Sequence, residues 1–486
     1  MKNIWKGINN IIKIKNTNKS KPISISIDNE ICHDGKKVAN GFNQYFSNVA
    51  CNLQKGIHNA GKGFDKYLKN PNDKSFFIRP TNKFEIIEII SSLQQDKSMG
   101  PNSIPDSVLK LIKYEIADPL TEIINLSFET GIYFDKLKSA KTIPIYKDKG
   151  NEFDCSNYRP TSLLSNINKI VERLMHKRLY SFLDKYECIY QNQFGFRRKH
   201  STIHALVSMT EDIRNALDND LNVCGIFLDL QKAFDTVDHH ILTKKLEHYG
   251  VRGIANNWFK SYLSNRRQAV SVNGVLSEEA TMHYGVPQGS ILGPLLFLIY
   301  INDLHTAITH STVRHFADDT NLIIKNNSAK DLTRDLNKDL KMLNRWLQAN
   351  KISLNAKKTE LIIFRSKWKT IKYDIKVKLD GKKLQPTSFI KYLGLYIDCH
   401  LDWAVHAEVI TSKLSRTVGM LSKIRHYVDN TVLRSIYFAI FSSVLNYGSI
   451  IWGQRSTSTI KRIESVQNKA IRIINFAPFN SKTDEF

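Results

Sequence analysis

Hydrophobic residues recur with two different spacings along the middle of the chain, which predicts a mixture of helices and strands. Apolar positions three or four residues apart predict helices near residues 166–186, 201–219, 239–249, 294–309 and 329–350. Short β-branched and aromatic runs between them predict strands, including 223–228 and the two runs that flank residues 317–319. Because helices and strands alternate irregularly, the pattern favours an α+β fold over a doubly wound parallel sheet.

The same pattern divides the chain into three regions. Residues 1–80 are rich in Lys, Asn, Ser and Gly, and they are interpreted as a basic N-terminal extension or linker with a short helical segment near 38–53. Residues 81–400 contain the mixed helices and strands. Residues 401–486 are helical and basic, with no obvious stop before residue 474. Since neither terminus has the pattern of a domain end, we expect the sequence to be a fragment.

Charge narrows the possible partners. The 486 residues include 70 Lys and Arg against 46 Asp and Glu, a net charge of +24, which predicts attraction to a polyanion such as nucleic acid or a membrane surface. The uncharged stretch at 437–453 approaches the length of a membrane span. It contains Ser442, Ser443 and Asn446, so we interpret it as a buried helix and expect no membrane role.

Cysteine spacing argues against two other classes of protein. The six cysteines form no CxxC pair, which disfavours a zinc knuckle or a disulfide framework. Free thiols suit a reducing, intracellular compartment, and the choice between nucleus and cytoplasm stays open.

Three carboxylates stand out against their apolar surroundings. Asp229 ends the buried strand predicted at 223–228, where a lone carboxylate costs several kcal/mol unless it is paired, neutralised or bound to a metal. Asp318 and Asp319 lie at the tip of a predicted hairpin. Aspartate favours turns for local reasons, but hard oxygen ligands at strand ends also suit Mg²⁺. If the two segments are antiparallel neighbours, all three carboxylates converge and require divalent cations.

Three sequence motifs, two of which contain these carboxylates, resemble a known family. Residues 316–319 (FADD), 227–235 (FLDLQKAFD) and 285–297 (GVPQGSILGPLLF) are similar to the conserved boxes of reverse transcriptases from non-LTR, LINE-type and jockey-like retrotransposons. Further similarity lies at 157–164 (NYRPTSLL), 193–197 (QFGFR), 354–360 (LNAKKTE) and 392–395 (YLGL). The resemblance covers about residues 95–475. It implies a right-hand polymerase fold with fingers, an RRM-like antiparallel palm sheet and a helical thumb, and RNA-directed DNA polymerase activity.

The resemblance also implies a metal site. Asp229, Asp318 and Asp319 correspond to carboxylates that hold two Mg²⁺ ions, with Mn²⁺ as an alternative, and Leu230 corresponds to a ligand through its backbone carbonyl. Phe234 corresponds to an aromatic steric gate that excludes the 2′-hydroxyl of a ribonucleotide. Simple packing at the start of a helix is the alternative explanation for that ring.

Other family positions imply nucleotide and primer contacts. Lys147 and Arg159 correspond to cations that hold the triphosphate, although solvation explains Lys147 equally well. Gln288 and Gly289 correspond to nucleotide contacts. Lys358 corresponds to a general acid for the leaving pyrophosphate, beside the equally cationic Lys357. The primer-grip positions of the family correspond to Tyr392, Leu393 and Gly394.

Three functional hypotheses follow. The first is an RNA-directed DNA polymerase that extends a DNA 3′-hydroxyl, with an RNA template, a DNA primer and deoxynucleoside triphosphates as partners. The second is an inactive or co-opted nucleic-acid-binding relic of such an element. The third is a related intron-encoded or viral RNA-copying enzyme. No endonuclease motif or sequence-specific DNA-binding motif is found, so we expect an endonuclease-lacking fragment of unknown oligomeric state.

Overall fold

The computed structural model describes residues 23–27, 30–57, 63–94, 98–101, 103–368, 376–379, 381–453, 457–478 and 480–483. The α-helices are α1 (Gly35–Lys55), α2 (Lys83–Ser91), α3 (Asp106–Leu111), α4 (Lys113–Thr130), α5 (Asn166–Lys185), α6 (Thr202–Asp218), α7 (His239–His248), α8 (Gly253–Leu263), α9 (Leu292–Ile301), α10 (Ala329–Ala349), α11 (Ala404–Ile424), α12 (Asn430–Ile436), α13 (Ser443–Asn446), α14 (Ser449–Trp452) and α15 (Thr457–Ile474).

The strands are β1 (Ile25–Ile27), β2 (Glu30–Cys32), β3 (Ser139–Tyr146), β4 (Tyr158–Leu163), β5 (Asn222–Leu228), β6 (Arg266–Val272), β7 (Val275–Leu276), β8 (Ala280–Met282), β9 (Thr312–Phe316), β10 (Asp319–Asn326), β11 (Glu360–Phe364), β12 (Val377–Leu379), β13 (Lys382–Leu384), β14 (Pro386–Thr387), β15 (Phe389–Tyr392) and β16 (Leu395–Asp398). Short 3₁₀ turns lie at Phe64–Tyr67, Asp135–Leu137, Cys155–Asn157 and Leu304–Ala307, and a π-helical turn lies at Tyr437–Ser442.

Two five-stranded sheets carry the mixed region. The first has the order β14-β11-β5-β10-β9, with antiparallel pairing throughout except between β11 and β14. Its central strand β5 is the buried run expected from the sequence, and β9 and β10 form the predicted hairpin. The second sheet has the order β4-β3-β6-β7, with β8 also paired to β6. The structure is therefore a mixture of helix and sheet, as expected.

The five helices predicted in the middle of the chain are confirmed as α5, α6, α7, α9 and α10, with one correction. Periodicity predicts that the fourth helix continues to residue 309, whereas α9 ends at Ile301. The next two residues are polar and turn inward. Asn302 donates to the carbonyl of Cys188 and accepts from the amide of Tyr190, and Asp303 pairs with Lys245. These contacts with distant segments end the helix.

The N-terminal region contributes an ordered helix. The helical segment expected near residues 38–53 is α1, and its apolar face, which includes Val38 and Phe42, packs against β6 and Tyr158. Asn43 on α1 accepts a hydrogen bond from Gln268 on β6 at 3.0 Å. In this part, the range interpreted as an extension packs against the second sheet. Periodicity predicts the helix but not its packing against β6, which lies more than 200 positions away along the chain.

The C-terminal region is helical but interrupted. Helices α11 and α15 pack together, and the hairpin of β15 and β16 lies beside α11. Gly448 adopts a left-handed conformation with φ +66° and separates α13 from α14, a stop that apolar periodicity alone does not reveal. In the part of the chain that the structure describes, no helix combines the length and apolarity needed to cross a membrane.

A buried ion pair gives a test of the core. Lys245 on α7 pairs with Asp303, and both side chains are almost fully buried. Asp303 also accepts from the indole of Trp346 at 3.0 Å. We expect Lys245→Met to lower the free energy of unfolding by about 3–5 kcal/mol, because Asp303 is left charged and buried. Chemical denaturation measures this change.

The adjacent lysine is a matched control. Lys244 pairs with Glu247, and both side chains are about half exposed, so Lys244→Met should cost under about 1 kcal/mol. The double variant Lys245→Met/Asp303→Asn removes both charges and keeps an acceptor for Trp346, so it should recover most of the loss. Equal effects of the two single substitutions would contradict the assignment of a buried pair.

Candidate active site

The hairpin that carries two of the candidate carboxylates has a tight two-residue turn. Phe316 on β9 pairs with Asp319 on β10, so that Ala317 and Asp318 form the turn. Ala317 has φ +58°, a conformation that is uncommon for residues other than glycine. Its surroundings therefore have to hold the turn in place.

Residues 193–195 supply that support. The side-chain oxygen of Gln193 accepts from the amides of Gly195 at 2.8 Å and Ala317 at 3.1 Å, and this side chain is buried. A Cβ atom on Gly195 would lie 2.2 Å from the nitrogen of Ala317, so only glycine fits there. The amide of Phe194 donates to the carbonyl of His315 at 2.8 Å. The QFGFR segment thus holds the turn that carries Asp318.

Strand register brings the third carboxylate to the same end of the sheet. Thr320 on β10 pairs with Leu228 on β5 in antiparallel register. Asp229 directly follows Leu228 and Asp319 directly precedes Thr320, so the two carboxylates lie at adjoining strand ends. The carbonyl of Asp229 accepts from the amide of Asn355 at 2.8 Å, which fixes the end of β5.

The expected convergence of the three carboxylates is only partly met, although Asp229 lies near enough to Asp318 and Asp319 to raise their pKa values. The pKa of Asp319 is raised to about 6 by partial removal from water and by the charges of Asp318 and Asp229. Burial and the charge of Asp229 also raise the pKa of Asp318, while Arg159 acts in the opposite direction. In the residues that the structure describes, no three His, Cys, Asp or Glu side chains are grouped closely enough to hold a metal ion.

Cationic side chains border the carboxylates. Lys358 is largely exposed, and its Nζ lies 3.8 Å from Oδ2 of Asp229. Arg159 on β4 is exposed and influences both Asp318 and Lys147 electrostatically. Lys147 donates to the carbonyl of Ser156 at 3.0 Å, and its pKa is lowered to about 8 by burial and by the neighbouring cations, chiefly Lys232. The structure thus places Lys358 beside Asp229, and Arg159 near enough to Asp318 and Lys147 to affect their pKa values.

The 285–297 segment packs closely against the 227–235 segment. The amide of Val286 donates to the carbonyl of Phe234 at 2.9 Å. Gly289 has φ +122°, and a Cβ there would lie 2.5 Å from the carbonyl oxygen of Ser162, which explains the glycine. The buried carboxylate of Glu172 accepts from the amide of Ile291 at 2.6 Å and so anchors the loop before α9.

Phe234 has both a packing contact and an open side. Its ring stacks on Phe297 with centroids 4.6 Å apart, and the ring of Phe196 is nearly perpendicular to it with centroids 6.3 Å apart. The residue is only partly buried, so packing does not enclose the whole ring. Leu230, whose backbone carbonyl is a predicted ligand, is buried and forms an isolated β-bridge with Leu354.

The predicted primer-grip residues form a second tight turn. Leu393 and Gly394 both have positive φ, +43° and +87°, in the two-residue loop between β15 and β16. Tyr392 is buried, and its hydroxyl accepts from Asn321, two residues beyond Asp319, at 2.9 Å. Tyr447 from the C-terminal helices donates to the carbonyl of Leu393 at 2.6 Å. The turn is therefore tied both to the hairpin strand and to the C-terminal region.

Sequence reasoning missed several of these supporting residues. Gln193 and Gly195 lie within a motif that resembles the family, but the motif gives no sign that they hold the Ala317 turn. Glu172 and Tyr447 lie outside the motifs used for the resemblance. A buried acidic residue in the middle of α5 is the one local signal that could have drawn attention to Glu172, because an unpaired buried carboxylate is unfavourable.

Carboxylates on adjoining strand ends, with Lys and Arg side chains beside them, suit phosphoryl or nucleotidyl transfer. Residues 145–397 match the family described as reverse transcriptase (RNA-dependent DNA polymerase). The matched residues make up more than half of the chain. The chain therefore belongs to the reverse transcriptase family. That family implies a right-hand polymerase fold, which agrees with the mixture of helix and sheet found here.

Similar proteins indicate which type of reverse transcriptase this chain is related to. The chain is 31% identical over 428 residues to the probable RNA-directed DNA polymerase from transposon BS of Drosophila melanogaster, covering 85% of this chain and 46% of that protein. It is 29% identical over 432 residues to the RNA-directed DNA polymerase from mobile element jockey of the same organism, covering 86% of this chain and 46% of that protein. The predicted jockey-like, non-LTR type is thus confirmed. The chain spans less than half the length of these relatives.

Proposed function

We propose that this chain is an RNA-directed DNA polymerase that extends a DNA 3′-hydroxyl on an RNA template, using deoxynucleoside triphosphates. The observation that carries the proposal is the pairing of Leu228 with Thr320, which supports a site where Asp229, Asp318 and Asp319 meet at adjoining strand ends. In a chain of this family, three carboxylates on adjoining strand ends support a role in nucleotidyl transfer. The retention of all three supports activity over an inactive relic.

The acidic site is suited to two divalent ions. We assign Asp229, Asp318, Asp319 and the carbonyl of Leu230 as ligands for Mg²⁺, or for Mn²⁺ in its place. The raised pKa values of Asp318 and Asp319 reflect like charges that a divalent cation would relieve. When bound, such ions activate the primer hydroxyl and stabilise the departing pyrophosphate.

The neighbouring cations act on the triphosphate. Arg159 presents a planar guanidinium for paired phosphate contacts, and Lys147 supplies a point charge beside it. The neighbouring cations help to lower the pKa of Lys147, and the negative charge of a bound phosphate would offset them and raise this pKa again. Lys358, next to Asp229, donates a proton to the leaving pyrophosphate. Gln288 and Gly289 contact the nucleotide, and Tyr392, Leu393 and Gly394 form the primer grip.

The domains follow from these roles. We assign the sheet of β14, β11, β5, β10 and β9 to an RRM-like palm and the sheet of β4, β3, β6 and β7 to the fingers, both within residues 81–400. Residues 401–486 form the thumb. Residues 1–80 form an extension whose helix α1 packs against the fingers sheet. The basic surplus of the chain suits an RNA–DNA hybrid, which is held through its phosphate backbones.

Primer extension on poly(rA)/oligo(dT) tests the proposal. With Mg²⁺ and dTTP we expect the primer to grow, and a chelator should stop the reaction until Mg²⁺ is restored in excess. Binding of the hybrid, followed by fluorescence anisotropy, serves as the control for folded protein. A chain that binds the hybrid but extends no primer with either Mg²⁺ or Mn²⁺ would favour the binding relic instead.

The steric gate gives a further prediction. Phe234→Val removes the ring that lies beneath the sugar, so incorporation of rUTP relative to dTTP should rise by at least about tenfold, the effect of roughly 1.4 kcal/mol. Phe234→Tyr keeps the ring and should retain the discrimination. Single-nucleotide incorporation measures the ratio. If the ratio is unchanged in the valine variant, Phe234 is not a steric gate and its role is only to pack against Phe297.

A further inference from the structure

Asp235 follows the gate residue Phe234 and lies beneath the 285–297 segment. The residue is half-buried, but its Oδ2 atom is shielded from solvent and has no hydrogen-bond partner among the described residues. A Cβ on Gly285 would lie 2.8 Å from the carbonyl oxygen of Asp235, so the two backbones are in close contact. Unlike Asp238, which caps α7, Asp235 has no local structural role of this kind.

The other carboxylate oxygen has a specific partner. Oδ1 of Asp235 accepts from the Nε2 of Gln288 at 2.7 Å, a short bond between residues 53 positions apart. The backbone of Gln288 is held separately, because its carbonyl accepts from the amide of Ser162 at 2.7 Å. The side-chain amide therefore depends on Asp235 for its orientation, and not on the loop alone.

The charge of Asp235 determines which end of the Gln288 amide faces it. An ionised carboxylate can only accept hydrogen bonds, so the NH₂ group of the amide has to face Asp235. The amide oxygen of Gln288 then faces the other way and is available as an acceptor. Lys232 and Lys147 favour the ionised form of Asp235 and oppose the effect of burial, which raises the pKa of this carboxyl to about 6.

We propose that Asp235 is a positioning residue that fixes the amide of Gln288 with its oxygen toward the incoming nucleotide. The inference rests on the proposed polymerase function and deepens it. Asp235 does not touch the reacting atoms. It selects which of the two amide groups the nucleotide meets, and so controls nucleotide affinity more than the chemical step.

Two substitutions of graded severity test this role. Asp235→Leu leaves no acceptor, so we expect the KM for dTTP to rise by about tenfold or more, as for loss of a hydrogen bond to a charged group. Asp235→Asn can accept or donate and permits either orientation, so its KM should lie between those of the leucine variant and the wild type. In both variants kcat should change by less than about threefold. Asp135→Asn, an exposed carboxylate, is the control and should change neither constant.

A double-mutant cycle separates positioning from general damage. If Asp235 acts through Gln288, Asp235→Leu should add nothing to the KM of Gln288→Ala, so that the two effects are strongly non-additive. Additive effects, or a loss in kcat with unchanged KM, would overturn the proposal. Thermal unfolding of each variant shows whether it is folded.

Nucleotide binding gives a readout that does not require turnover. Equilibrium titration of a fluorescent dTTP analogue against the protein–hybrid complex, with Ca²⁺ as the divalent ion, should give a Kd about tenfold higher for Asp235→Leu than for the wild type. An unchanged Kd would overturn the role of Asp235. A wild-type chain that binds nucleotide but extends no primer would instead count against the proposed polymerase activity.

Discussion

The Asp318→Asn variant is expected to lose primer extension by about a thousandfold or more, because a carboxylate that holds a divalent ion contributes several kcal/mol to nucleotidyl transfer. The structure adds a second expectation for the same variant. Burial and the charge of Asp229 raise the pKa of Asp318, so its ionised form is less favourable in the folded chain than in the unfolded chain. Removing the charge should therefore leave the unfolding temperature unchanged or raise it.

This combination distinguishes a catalytic group from a structural one. Steady-state primer extension and differential scanning calorimetry measure the two quantities on the same preparation, and anisotropy should show that the RNA–DNA hybrid still binds. Asp73→Asn, which changes a highly exposed carboxylate beside Lys74, should alter none of them. Full activity of the Asp318 variant would reject the metal assignment, and a large fall in stability would indicate that Asp318 holds the turn.

The second large effect is expected from Gly195→Ala. A Cβ at this position would lie 2.2 Å from the backbone nitrogen of Ala317, and backbone cannot move aside as a flexible side chain can. We expect the free energy of unfolding to fall by about 1–3 kcal/mol, as for other overpacked sites. Primer extension should fall by at least about a hundredfold, because small misplacements of a catalytic group are costly.

Gly419→Ala is the matched control for this substitution. Gly419 lies inside α11, where a Cβ would meet nothing within 4 Å, so alanine should raise stability by about 0.5–1 kcal/mol and leave activity unchanged. Gln193→Leu tests the same support more gently, since it removes the acceptor of two amides without adding bulk at the backbone. If Gly195→Ala behaved like Gly419→Ala, the 193–195 segment would not position the hairpin.

Local patterns predicted the elements of this fold well where each element is amphipathic or fully apolar. Apolar spacing predicts helix α10, which buries one face at the helical period, and an unbroken apolar run predicts strand β5, which is buried on both faces. The error at α9 has the same origin. Its apolar run predicts a longer helix, but tertiary hydrogen bonds of Asn302 and Asp303 end it at Ile301.

The candidate site was predictable in part. Motif similarity identified the acidic residues, the gate and the basic residues one at a time, and their catalytic roles stay predictions. The side chains that position them were not predictable, since a buried glutamine such as Gln193 has no periodic signature. The bond from Gln288 to Asp235 joins residues 53 positions apart, and that from Tyr447 to Leu393 joins residues 54 apart.

The amino-acid sequence alone determined the helix and strand periods, the basic surplus and the reverse transcriptase motifs, including the three carboxylates. None of these properties depends on the fold, because a period or a motif is complete within a few neighbouring residues and a net charge is a simple sum over the chain. Only the tertiary structure decided that the strand ends carrying Asp229 and Asp319 adjoin, and that Gln193 holds the turn of Ala317. The physical reason is that strand register and buried hydrogen bonds depend on which distant segments pack together, and no single segment carries that information.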